Sequence, residues 1–194
     1  MSETGYVRNA LYGAVRMMFG KPDGLKHMDL SVDGFWNSFA AIPLAFPPLL
    51  LSWLASASDY ISTSGNGWSR SYVTLANGVI ELSAWIVPLM LLALAARTIG
   101  IADRFIAYVV STNWASVVIA WFMLPVSLLR LFAPDFDKSM EPLWQIVYIV
   151  TLVLIWRLTN AAIGKGAALA TGVFVAMFVV TILTVVMLVQ LFGL

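Results

Sequence analysis

Residues 167–194 read AALATGVFVAMFVVTILTVVMLVQLFGL. Twenty-eight positions pass without a charged side chain, and the only hydrogen-bonding side chains are three threonines and Gln190. A helix rises 1.5 Å per residue, so about 20 apolar residues cross a hydrocarbon core of roughly 30 Å. A helix that is hydrophobic all round has no stripe to offer water. This stretch reads as a transmembrane helix, and the rest of the chain repeats the pattern. Moving toward the N-terminus, apolar runs of similar length occupy about 142–163, 105–129, 75–96 and 35–57. None alternates with the period of two that barrel strands require, and lipid tolerates no unpaired backbone. The expected fold is all-α: a polytopic transmembrane bundle of five spans over 35–194. Residues 1–34 precede it as a cytoplasmic or interfacial segment with a short amphipathic helix. The connections are too short for a second domain.

The whole chain has 194 residues, 61% apolar and 11% charged, against about 45–50% and 25% in a soluble domain. Its mean hydropathy is +0.89. A net charge of +1 gives no field to recruit nucleic acid. With no cysteine and one histidine, disulfides, thiolate sites, cysteine nucleophiles and most zinc or triad chemistry are excluded. No glycine-rich phosphate loop occurs, and no serine or threonine has a base beside it. His27, next to Lys26, reads as solvated. Asp135, Asp137 and Glu141 form the one acidic cluster outside the spans, a divalent-cation site or a solvated turn. The expectation is a protein that is not an enzyme and carries no cofactor.

Boundary residues set the turns. Asp33-Gly34 can cap the first span, and Ser62–Gly67 is a loop by composition. Ala133-Pro134-Asp135 stops the third span, and Ser139 ahead of Glu141-Pro142 reads as a cap with proline in the first turn. Gly164-Lys165-Gly166 is a tight turn that makes the last two spans an antiparallel hairpin. Arg157 lies inside the fourth span, close enough to its end to reach the headgroups. Placing the N-terminus in the cytosol puts Arg8, Arg16, Lys21, Lys26, Arg97, Arg104, Arg157 and Lys165 there. Only Arg70, Arg130 and Lys138 fall on the far side. The positive-inside rule then gives N-in and C-out, in a membrane expected to be a bacterial inner membrane. Trp36 with Trp53, and Trp144 with Trp156, read as interfacial anchors at opposite ends of their spans.

The N-terminus lacks the uninterrupted apolar core of a secretory signal. Over Tyr6–Phe19 it places Val7, Leu11, Ala14, Val15 and Met18 on one face, flanked by Arg8 and Arg16. Two readings stand together: a helix lying on the inner leaflet, or one packed against the cytoplasmic ends of the bundle.

Glu81 is the one acid well inside a span, roughly 9 Å from its outer end at 1.5 Å per residue. Asn77 sits one turn earlier, and Arg130 closes the third span on the same side as a candidate partner. An intramembrane carboxylate reads either as a cation- or proton-binding group or as a structural pair. Asn113, beside Ser111 and Thr112, is the next polar candidate and reads as interhelical glue or as a substrate contact. Pro43, Pro47, Pro48, Pro88 and Pro125 lie within spans; each removes a donor and frees a carbonyl one turn earlier. Such breaks are kinks, or the ion and substrate sites of transporters. Gly164, Ala168, Gly172 and Ala176 recur every fourth residue and form a small-residue packing face. The hairpin makes the fourth span its expected neighbour.

The segment Met28-Asp29-Leu30-Ser31-Val32-Asp33-Gly34-Phe35-Trp36 runs straight into the first span. It resembles the Asp-Leu-Tyr-Gly-Pro-Phe-Trp motif of the Yip family of membrane proteins. It lacks the proline after glycine and has two additional residues between Asp29 and Gly34. The resemblance implies a cytoplasmic N-terminus followed by five closely spaced helices.

Two functions follow as expectations. The first is a small integral membrane protein acting through helix contacts, as scaffold, accessory subunit or membrane-organising factor. Its partners would be the lipid bilayer and a homo-oligomer or membrane complex, with no nucleic acid. The alternative is a transporter or channel component using Glu81 in an oligomeric pathway.

Overall fold

The computed structural model describes residues 3–65 and 67–194. Eight α-helices follow in order: α1 (Glu3–Met18), α2 (Val32–Asn37), α3 (Ala41–Ser64), α4 (Arg70–Ala95), α5 (Phe105–Phe132), α6 (Pro134–Ser139), α7 (Glu141–Ile163) and α8 (Ala167–Phe192). Among the described residues there is no strand. Five helical segments are long and apolar enough to cross a membrane: 32–64, 70–95, 102–132, 141–163 and 167–192. Large apolar side chains cover the outside, with Leu75, Leu94 and Leu191 each more than 70% exposed. A soluble monomer rarely shows so continuous an apolar surface.

The five long helices close into a ring. α3 packs on α4 and α5, α4 on α8, α8 on α7, and α7 on α5. Gly164 and Gly166 turn α7 into α8 with φ of +60° and +99°, values an L side chain resists. The expected hairpin is present, although α8 packs more extensively on α4 than on α7.

Several boundaries move. Ser31, not Asp33, caps the first span, its hydroxyl accepting from the Gly34 N–H at 3.0 Å. α3 continues through Ser62–Ser64, so the expected loop begins at Gly65; Asn66 lies outside the described residues. Ser139 does not cap α7. Its hydroxyl donates to the Phe136 carbonyl within α6, and Met140 occupies the cap position with Pro142 in the first turn.

Chain direction sorts the connections into two poles. One holds α1, the turn over Pro22–His27, the α4–α5 connection and the α7–α8 turn. The far pole holds the α3–α4 loop, α6 and the C-terminal residues. At the first pole α1 is a packed element. Ala10, Ala14 and Met17 are fully buried, and α1 contacts α5, α7 and the 22–27 turn. Val7, Leu11 and Val15 of the expected stripe are half-buried beside them. The Ser111 hydroxyl donates to the Ala107 carbonyl at 2.6 Å and lies against the Met17 and Met28 sulfurs. Tyr6 meets the buried Trp114 ring edge-on at 5.7 Å.

Polar contacts finish this pole. Arg157, expected to reach headgroups, instead donates to the Phe19 carbonyl at 3.0 Å, just past the end of α1. Lys165 donates to the Gly100 carbonyl at 2.7 Å and pairs with Asp103, joining the α7–α8 turn to the α4–α5 connection. Arg16 pairs with Asp23, and that guanidinium holds the Asp23 carboxyl below the usual carboxylate range. At the far pole the Tyr72 hydroxyl donates to the Phe192 carbonyl at 2.9 Å, holding α8 against α4.

Candidate functional site

Three tryptophans on the inner helices are each engaged by a polar partner, and each partnership follows from a local feature of sequence. Pro48 has no N–H, which strips the Leu44 carbonyl of its helical donor. Trp121 of α5 supplies the missing one, its indole N–H donating to Leu44 O at 3.0 Å. Gly78 of α4 has no side chain, and a β-carbon there would lie 3.0–3.4 Å from the Trp53 ring. The indole of Trp53 therefore lies directly against α4, and its N–H donates to Glu81 Oε2 at 2.5 Å. Trp53 is 7% exposed and so is not an interfacial anchor. One turn beyond Glu81, Trp85 donates to Asn113 Oδ1 at 3.0 Å. The Asn113 amide donates in turn to Ser38 Oγ at 2.9 Å, and Ser38 donates to Phe35 O at 2.7 Å.

Asn113 is thus interhelical glue, fully buried and hydrogen-bonded on both sides. Glu81 takes neither expected partner. No hydrogen bond among the described residues joins it to the half-buried Asn77. Arg130 is occupied elsewhere, with Nε and Nη2 at 3.1 and 2.6 Å from Asp59 Oδ2. That pair links the far ends of α3 and α5. Being partly exposed, it contributes at most about 1 kcal/mol.

Of these residues Pro48, Glu81 and Trp85 border a cavity of about 550 Å³ inside the ring. α3 contributes Pro48, Leu49 and Ser52; α4 contributes Glu81, Ala84, Trp85, Pro88 and Leu89. One face of α5 lines it from Tyr108 to Ser127, a run of about 28 Å at 1.5 Å per residue. Tyr148, Leu152 and Ile155 of α7 and Phe174, Met177, Phe178 and Thr181 of α8 complete the wall. The volume and lining match those of small-molecule sites, which are largely apolar with a few placed polar groups. Glu81 carries the one carboxyl group on this wall.

The small-residue face turns out differently. Gly164, Ala168, Gly172 and Ala176 are all exposed, and a β-carbon on Gly172 would meet nothing within 4 Å. Ala170 and Val173 are the buried residues of α8. Gly172 and Ala176 border an outward-facing groove of about 330 Å³ whose other wall is Leu91, Leu92 and Ala95 of α4 with Ile99 just beyond it, so α7 is not their neighbour.

Of the remaining candidates, Trp156 donates to Thr171 Oγ1 at 2.9 Å, tying α7 to α8. Trp36 is 66% exposed. His27 is exposed, its ring edge-on to Tyr12 at 5.0 Å. Asp135 and Glu141 are exposed, while the Asp137 side chain lies outside the described residues. No group of three metal-ligating side chains converges among the described residues. Sequence reasoning missed Asp59 and the pairing roles of Trp53, Trp85 and Trp121. One signal was available for Trp121, because Pro48 had to leave a carbonyl in need of a donor. No family model matches the chain, and no curated protein or solved structure matches it.

Proposed function

We propose that this chain is an integral membrane protein that binds a small amphiphilic molecule inside its helical ring, in a carrier or transport role. The observation that carries the reading is the 550 Å³ cavity bordered by all five long helices, with Glu81 on its wall. Trp53 holds Glu81 Oε2, while Oε1 accepts no hydrogen bond among the described residues and is left to face a ligand. The cation-rich pole with α1 faces the cytosol and the C-terminal residues face the far side, by the charge asymmetry of the loops. The membrane is a bacterial inner membrane, and the reaction is binding or passage without bond-making. The resemblance of residues 28–36 to the Yip family agrees with a five-span layout. The test uses N-phenyl-1-naphthylamine as probe on protein in nanodiscs, against empty nanodiscs. Ala84→Trp and Ser116→Trp, which fill the cavity from opposite walls, lose the protein-dependent signal. Equal signal from both folded variants overturns the reading.

A second reading, a scaffold or accessory subunit acting through helix contacts, is favoured by the outward-facing Gly172 and Ala176. The chain has no cysteine, so a single Ala176→Cys gives a clean cross-linking site. A homodimer or a discrete partner band supports this reading, and no protein cross-link in the native membrane sinks it.

A further inference from the structure

We propose that the cavity selects a lipophilic cation, a molecule with one positive charge on an apolar, aryl-bearing body; this rests on the cavity reading above. Three features of the wall point the same way.

The first is charge. Glu81 carries the only carboxyl group on the wall, and no lysine, arginine or histidine lines it. Its Oε2 is held by Trp53, while Oε1 accepts no hydrogen bond among the described residues. A charge in an apolar surrounding is costly unless paired, so an anion would meet repulsion and a cation would meet its counter-charge.

The second is the sense of the polar groups. The Thr112 hydroxyl donates to Tyr108 O at 2.9 Å, and the Ser116 hydroxyl donates to Thr112 O at 3.0 Å. Their protons are spent on the α5 backbone, so what they offer the cavity is lone pairs. Pro88 likewise withdraws the helical donor of the Ala84 carbonyl, on the same wall. Ser52, Ser127, Thr181 and Tyr148 on the same wall carry hydroxyls able to donate or accept, so the bias toward acceptors is local to Ala84, Thr112 and Ser116.

The third is aromatic. Trp85, Tyr108, Tyr148, Phe174 and Phe178 border the cavity. The Trp85 ring is fixed by its bond to Asn113, and Phe174 and Phe178 stack with centroids 6.3 Å apart. Aromatic faces attract organic cations through their quadrupoles, most strongly where water is excluded. An inorganic ion would need several oxygen ligands converging on one point, whereas the wall holds one carboxylate among rings.

The experiment measures binding of three probes of similar shape to the full-length protein in zwitterionic nanodiscs: tetraphenylphosphonium, tetraphenylborate and neutral triphenylphosphine oxide. The phosphonium binds about tenfold or more tighter than the phosphine oxide, and the borate does not bind above background. Glu81→Gln keeps an acceptor for Trp53 and removes the carboxylate, so it erases the preference for phosphonium over phosphine oxide. If Glu81→Gln does not fold, Tyr148→Ala replaces it. Tyr148 is 55% exposed, and its loss weakens phosphonium several-fold more than phosphine oxide. Phosphine oxide or borate binding as tightly as phosphonium overturns the proposal, as does a phosphonium preference that survives in the folded variant. Ala84→Trp separates the two levels: if it weakens every probe while no charge preference exists, only the cation proposal falls. If it weakens none, the cavity reading falls with it.

Discussion

Along α7, the residues nearest the Gly164 turn are sealed and those nearest its start are open. Leu158, Thr159, Ala162 and Ile163 are fully buried, while Leu143, Ile146, Tyr148 and Ile149 are about half exposed. The two halves have the same apolar character, so composition does not separate them. What separates them is α1, a long helix packed against α5 and α7 at one pole, where the other pole has only the short α6 against the same two helices. Close packing is therefore concentrated where a sixth helix fills the flank, and the ring is left with room farther along. The same protein combines a closely packed base with a cavity that reaches from Tyr108 toward the far pole.

That contrast can be broken most forcefully by Leu158→Ala, which removes a side chain with 0% exposure. It costs about 2–5 kcal/mol, read as thermal unfolding in mild detergent, whereas Ile149→Ala in the open half stays within about 0.5 kcal/mol. Equal effects would dissolve the distinction. A smaller change comes from Gly78→Val. Even a β-carbon there comes within 3.0–3.4 Å of the Trp53 ring, so the variant pushes the indole off Glu81 at a cost of about 1–3 kcal/mol. Retained stability and retained probe binding would show that Trp53 does not set the cavity wall. The smallest effect belongs to the surface of the base. Arg16 lowers the Asp23 carboxyl below its ordinary range, so the pair stabilises above the unfolded pKa of about 4 and loses that contribution as pH falls through the lower folded value. Asp23→Asn is expected to be slightly less stable than the parent at neutral pH and equal to it in strong acid. A gap that persists at pH 2 would mean the contribution is not ionic.

The five long apolar helices were legible because hydropathy needs only length and composition, and the boundaries at Phe105, Ile163 and Ala167 follow from charges and glycines beside them. The interior was harder to read. Trp53 looks like an anchor when the span is ended at 57, but α3 runs on to Ser64, which carries Trp53 inward and gives Asp59 to Arg130. The spacing of Gly172 and Ala176 says that a face is smooth without saying what lies against it. The N-terminal helix left two readings because an apolar stripe serves lipid or protein equally; burial of Ala10, Ala14 and Met17 decides for protein. A cavity leaves no mark in sequence at all, since Leu49, Leu152 and Met177 are the residue types that fill a core as readily as they border a void.

The bond from Trp121 to the Leu44 carbonyl has a mechanical consequence. An ordinary helix that flexes must give up rungs of its own ladder, but α3 already lacks two, at Pro47 and Pro48, and α5 supplies the replacement for the second from outside. Articulation at that joint strains a single side-chain contact worth about 1 kcal/mol, and Pro48 itself borders the internal chamber. The residue that interrupts the ladder of α3 is thus also a piece of the chamber wall.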